Sequence, residues 1–127
     1  MNRAVVSVGS NVEPFKHVEE ARRLLAREQT LVAESSFEMT RPEGRTSQPD
    51  FLNGAFLVDT DLGAGDLAAY LKGVEARLGR KRGSGKDGPR TIDLDLIVFN
   101  GRVVSGDYHR YGFVRRFVLE LAPGLEG

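Results

Sequence analysis

Apolar positions along this chain follow two periods, and each period marks a type of element. Ala4 to Val8 is a short β-branched run that reads as a strand. Leu31 to Met39 alternates Ala33, Ser35, Phe37 and Met39 against Glu34, Ser36 and Glu38, which predicts another. After Pro14, a residue tolerated in a first helical turn, Phe15, Val18, Ala21, Leu24 and Leu25 recur near helical spacing and predict a helix from Phe15 to Arg27. Leu67, Leu71, Val74 and Leu78, with Tyr70 beside them, predict a second helix that Gly79 ends. Phe51 to Thr60 and Thr91 to Phe99 are dense in apolar and β-branched residues and read as strands. Gly and Pro gather at 9–14, 41–49 and 79–89, which read as loops.

The resulting order is strand, helix, strand, strand, helix, strand in a single domain over 1–127. It predicts an α+β fold, a ferredoxin-like βαββαβ two-layer sandwich whose antiparallel sheet carries both helices on one face and leaves the other free for ligands. The tail adds a segment, Phe113 to Leu121, whose type the pattern leaves open.

Strand alternation then sorts side chains by face. In the last strand Ile92, Leu94, Leu96 and Val98 form an apolar set for the helices, so Thr91, Asp93, Asp95 and Ile97 face away. Asp93 and Asp95 stand about 7 Å apart along the strand, a spacing that suits two hard cations and a polyphosphate, or simply two solvated charges. Directly before them Arg80, Lys81, Arg82, Lys86 and Arg90 crowd a Gly-rich loop. Guanidinium groups beside a metal pair are what phosphoryl transfer uses, and a plain solvated basic loop is the competing reading. In the Phe51 strand, Leu52, Gly54, Phe56 and Val58 face the helices while Phe51 and Asn53 face away. A ring that stacks and an amide that both donates and accepts suit a flat, nitrogen-rich heterocycle; an edge aromatic and a turn former are the alternatives. Glu75 borders the apolar stripe of the second helix, and His109, Arg115 and Arg116 in the tail are weak signals one by one.

Composition narrows the partners. With 127 residues and 40% hydrophobic content the chain supports one core. Eighteen basic and eighteen acidic residues cancel, which excludes the whole-chain basic field that nucleic acid or an anionic membrane would need. The absence of cysteine removes disulfides, thiolate-bound zinc and a cysteine nucleophile, and fits a cytoplasmic address. No apolar stretch is long enough to span a bilayer. No GxxxxGK[ST] loop, HExxH or nucleophile elbow occurs.

Five strings carry a resemblance: VGSN at 8–11, SSFEMTRPEG at 35–44, QPDFLNGA at 48–55, LGRKR at 78–82 and GPRTIDLDLIVF at 88–99. Together, and in this order, they resemble the hydroxymethyl-dihydropterin pyrophosphokinases of folate biosynthesis. The resemblance implies a ferredoxin-like enzyme that moves the diphosphoryl unit of ATP onto the hydroxymethyl oxygen of a reduced pterin and releases AMP. It implies that Asp93 and Asp95 hold two Mg2+ ions, and that Arg80, Arg82 and Arg90 act with Asp95 in catalysis by neutralising charge on the phosphates. Glu75, Arg82, Lys86, Arg90, His109 and Arg115 fall at ATP-contacting positions of such enzymes, and Thr40, Phe51, Asn53 and Phe117 at pterin-binding ones, with the pterin between the rings of Phe51 and Phe117.

The expected partners are thus ATP and a reduced pterin, without nucleic acid or membrane, for a monomer or weak homo-oligomer. The chain departs from the family pattern at Asp87, where an aromatic, typically Trp, is usual, and at Glu43, usually apolar. Two other readings stand beside the first: a diphosphoryl-transferring paralogue that takes a different alcohol, and a non-catalytic module that binds ATP or a pterin.

Overall fold

The computed structural model describes residues 1–41, 49–79 and 91–125. Its centre is β1 (Asn2–Ser10), whose apolar residues alternate between two cores. Ala4, Val6 and Val8 meet Val18, Ala21 and Leu25 of α1 (Pro14–Glu28) and Leu67, Leu71 and Val74 of α2 (Ala64–Arg77). Helices predicted from the spacing of those residues therefore contribute to one core with β1, and their ends fall close to the expected ones. Gly79 sits just beyond α2 at φ 92, a left-handed conformation that favours glycine.

The other strands are β2 (Thr30–Glu34), β3 (Glu38–Thr40), β4 (Phe51–Thr60), β5 (Asp93–Phe99) and β6 (Arg102–Val103). They form one sheet in the order β2–β4–β1–β5–β6, with β3 also on β4 and every pairing antiparallel. Among the described residues no helix is long and apolar enough to cross a membrane.

Three expectations are corrected. The strand from Leu31 to Met39 is broken into β2 and β3. At the break Ser35 donates its own N–H to the Ala55 carbonyl (2.9 Å) and its hydroxyl oxygen accepts the Ala55 N–H (2.8 Å), so one residue satisfies both groups of its partner. Alternation is lost there: Ala33 packs on one core and Phe37 on the other. Val98 also leaves the helix-facing set, because Ile97 forms a bulge between Val98 (opposite Val5) and Leu96 (opposite Val6), which turns Val98 over.

Finally, the second face of the sheet is half covered. α3 (Asp107–Arg110) leads into α4 (Gly112–Leu121), whose Val114, Phe117 and Val118 bury Val5, Ala55, Leu57 and Ile97. These strand positions are apolar, and leaving them in water would cost about 1.5–3 kcal/mol for each large side chain. Ser7, Asn53, Asp93 and Asp95 lie on the same face and remain partly exposed.

Two contacts give stability predictions. A Cβ on Gly54 would meet ring carbons of Phe37 at 2.6–2.7 Å, and that ring is held against Phe56 (centroids 6.0 Å apart) beneath the Arg22 guanidinium. Gly54→Ala is expected to cost about 1–3 kcal/mol through overpacking, read from the urea midpoint. At the far end, Arg77 donates twice to Glu28 (2.7 and 2.9 Å) and the Tyr70 hydroxyl once (2.8 Å), joining α1 to α2. These bonds, Arg77's first, hold the Glu28 carboxyl down at about 2 against an ordinary 4.5. A depressed carboxylate stabilises the fold above its unfolded value and loses that contribution as pH falls through its folded one. The pair therefore weakens between pH 4.5 and about 2, and Glu28→Gln should flatten the fall of the urea midpoint across this window.

Candidate active site

The polar half of the second face is organised by strand register. Asp93 lies opposite Gly9, Gly9 opposite Asn53, and Asn53 opposite Glu38, so one row crosses four strands. The next row holds Asp95, Ser7 and Ala55. Thr40 pairs with Phe51 on the far side of the first row. Asp93 and Asn53 thus stand two strand spacings apart, about 10 Å, with only the Gly9 backbone between them.

Thr40, Phe51 and Asn53 form one patch. The Asn53 amide donates from Nδ2 to the Thr40 hydroxyl, and its Oδ1 lies 2.7 Å from where a Cβ on Gly9 would stand. Phe51 Cδ1 is 3.8 Å from the same point. A half-exposed ring beside a fixed amide offers an apolar plane and a polar edge. Phe117 is elsewhere: it is 1% exposed, at the core of the α4 cluster, edge-on to Phe113 and beneath the Arg116 guanidinium. The expected pair of rings open to a ligand is therefore not formed in this structure.

Asp93 and Asp95 share the face as alternation requires. Burial first, and then the neighbouring Asp93 carboxylate, push Asp95 above its ordinary value against the pull of Lys72. Glu75 is not a solvated helix charge but 5% exposed, and its Oε2 accepts the Leu94 N–H at 2.7 Å. Lys72, one turn earlier on α2, donates to Glu75 Oε2 (3.1 Å), the Leu94 carbonyl (3.2 Å) and Asp95 Oδ1 (3.1 Å). Burial lowers this ammonium, but the Asp95 and Glu75 carboxylates outweigh it and the net shift is upward. Between them Lys72 and Glu75 satisfy the carbonyl and N–H of Leu94, at a point of β5 where, among the described residues, no further strand pairs with it. Sequence reasoning passed over Lys72; the available signal was its i,i+3 spacing to Glu75 at the edge of an apolar stripe.

His109 on α3 and Arg115 on α4 are exposed. His109 stacks edge-on against Tyr108, and neither His109 nor Arg115 has a contact among the described residues that draws it to the aspartates. Arg116 instead pairs with Glu38, and Glu120 accepts from the N–H and hydroxyl of Ser36, fastening α4 across the end of the polar face. Arg80, Lys81, Arg82, Lys86 and Arg90, with Glu43 and Asp87, lie outside the described residues. The residues flanking these stretches are nonetheless brought to the end of β1: the Ser10 hydroxyl donates to the Thr91 carbonyl (2.6 Å), and Asn11 Nδ2 to that of Pro49 (3.4 Å). This gives VGSN a structural role of tethering both flanks.

Among the described residues no three metal-ligating side chains converge. Two carboxylates on one face nevertheless fit Mg2+, which binds through one or two of them and completes its shell with water and substrate phosphates.

The family model of 7,8-dihydro-6-hydroxymethylpterin-pyrophosphokinase (HPPK) matches residues 5–123. A 2-amino-4-hydroxy-6-hydroxymethyldihydropteridine pyrophosphokinase of Pseudomonas aeruginosa is 36% identical over 138 residues, spanning 98% of this chain and 83% of that protein. Its namesake in Methylorubrum extorquens is 37% identical over 136 residues, spanning 98% and 85%. A mitochondrial folate synthesis bifunctional protein of Pisum sativum is 38% identical over 129 residues, spanning 97% of this chain and 25% of that one. The match takes in both aspartates, the Phe51–Asn53 patch and α4, and the chain belongs to the 7,8-dihydro-6-hydroxymethylpterin-pyrophosphokinase family.

Proposed function

We propose that the chain catalyses the Mg2+-dependent transfer of diphosphate from ATP to the hydroxymethyl group of 6-hydroxymethyl-7,8-dihydropterin, releasing AMP, as a step of folate biosynthesis. The observation that carries this reading is the row in which Asp93 faces Asn53 across the bare backbone of Gly9. One end of that row suits a metal-bound polyphosphate, and the other suits a flat heterocycle with a polar edge. The strand order around β1 supports reading the fold as ferredoxin-like.

In this reading the hydroxymethyl oxygen attacks the β-phosphorus and the bond from that phosphorus to the α,β-bridging oxygen breaks. AMP leaves with the bonding pair, and the hydroxyl proton is lost to solvent. Phe51 supplies a stacking plane and Asn53 reads the polar edge of the ring, with Thr40 holding the amide in place. Asp93 and Asp95 hold two Mg2+ ions, which when bound screen the triphosphate and polarise its phosphoryl oxygens.

Arg80, Arg82 and Arg90 neutralise charge on the phosphates, and Lys86, His109 and Arg115 contribute to ATP binding. Glu75 serves the nucleotide indirectly, by holding Lys72 and the β5 edge. Phe117 contributes to the pterin site by turning its ring out of the α4 core in which it is buried here.

The test is chromatographic detection of AMP from ATP and Mg2+, with and without the hydroxymethyl-dihydropterin. One AMP per diphosphorylated pterin is expected. Absence of pterin-dependent AMP, with ATP still bound by calorimetry, would refute the reaction and favour an altered alcohol substrate or a binding module.

A further inference from the structure

We infer that Lys72 is a tethered cation that competes with the divalent metal for Asp95 and sets the metal affinity of the site. An ammonium group has three N–H donors, and here each has an acceptor: Glu75 Oε2, the Leu94 carbonyl and Asp95 Oδ1, all within 3.2 Å. Two of the three belong to the frame. Glu75 has a side chain only 6% exposed and is itself fixed by the Leu94 N–H, so Lys72 is anchored from behind rather than drifting as a surface counter-ion. The third acceptor is one of the two carboxylates to which the proposed function assigns the metal, and the inference rests on that assignment.

A metal and an ammonium use the same carboxylate lone pairs, so ligation at this oxygen requires Lys72 to give it up. Its bonds to Glu75 and Leu94 survive, which keeps the displaced charge close. A unit positive charge at this distance opposes a dication even in a water-like dielectric. Before metal arrives the same charge offsets the repulsion between Asp93 and Asp95, so Lys72 both steadies the metal-free site and weakens it for a bare cation.

The experiment titrates Mn2+ alone into the full chain and reads free Mn2+ by electron paramagnetic resonance, with urea midpoints confirming that each variant is folded. Lys72→Gln and Lys72→Met should tighten Mn2+ binding about five- to tenfold, and Lys72→Arg should leave it near the parent value. In an Asp95→Asn background, itself weaker for Mn2+, neutralising Lys72 should bring no gain. If the neutral variants bind Mn2+ no better than the parent while Asp95→Asn weakens binding, the competition is refuted and the metal assignment stands. If Asp95→Asn binds Mn2+ as the parent does, the metal assignment fails and the inference with it.

Discussion

Asp95→Asn is expected to lower the rate of pterin-dependent AMP release by about a thousandfold while leaving the unligated fold as stable as the parent. The two halves of this prediction have different causes. Amide for carboxylate keeps the shape but removes a negative charge from the face where the polyphosphate is to be neutralised. Losing one preorganised electrostatic group of this kind costs about 10²–10³ in rate, more where it also forfeits a metal. The fold, by contrast, gains nothing net from the charge. Asp95 is partly buried and stands beside Asp93 on the same face, and both effects disfavour its ionised form, offset by a single ammonium. Removing the charge relieves that repulsion and loses the Lys72 pair, two terms of opposite sign. Single-turnover quench assays at saturating ATP, paired with urea midpoints, separate the outcomes. A rate within tenfold of the parent would remove Asp95 from the catalytic machinery, and a large drop in midpoint would make its role structural.

Much of the layout that leads to this prediction is legible in the sequence, because it depends on alternation within unbroken strands. β4 spans the expected Phe51–Thr60, and its register on β1 puts Phe51 and Asn53 on the face of Asp93 and Asp95 as the two-residue period requires. Alternation fails where something other than a strand partner satisfies the backbone or an extra residue enters. Ser35 bonds Ala55 with its hydroxyl and ends β2, and Ile97 bulges and turns Val98 over. Neither event leaves a pattern in hydrophobicity.

Other features had signals that pattern reading passed over. Asn100 and Gly101, at φ 49 and 80, make the two-residue turn into β6 that an Asn-Gly dipeptide announces. Val114, Phe117 and Val118 carry the three- and four-residue spacing of a helix that must bury its apolar side. Long-range pairing is what local pattern cannot supply. That α4 chooses the second face, and that Lys72 reaches Asp95 rather than solvent, depends on contacts between segments far apart in the chain.

Gly9→Ala tests the pterin half of the site without touching any group assigned to hold a ligand. Gly9 lies in extended β1, so its backbone is open to any residue, and space is what the position restricts. A methyl group there would stand 2.7 Å from Asn53 Oδ1, closer than real contacts allow, while the nearest Phe51 atom at 3.8 Å is at ordinary distance. What must yield is the end of one amide side chain, and it can yield by rotating. The stability cost is therefore small, in contrast to Gly54, where the Phe37 ring held against Phe56 blocks the added carbon. The functional cost is large because the displaced amide is the group proposed to read the heterocycle. A site that loses its hydrogen-bonding geometry toward a polar ring leaves buried groups unpaired on both partners. The expected result is a drop of about a hundredfold in kcat/KM for the pterin, with the KM for ATP nearly unchanged, since the aspartates keep their own strand. Initial rates with each substrate varied in turn give the split. An equal rise in both KM values would point to a general distortion of β1, and an unchanged pterin kcat/KM would mean that the Asn53 amide does not recognise the ring.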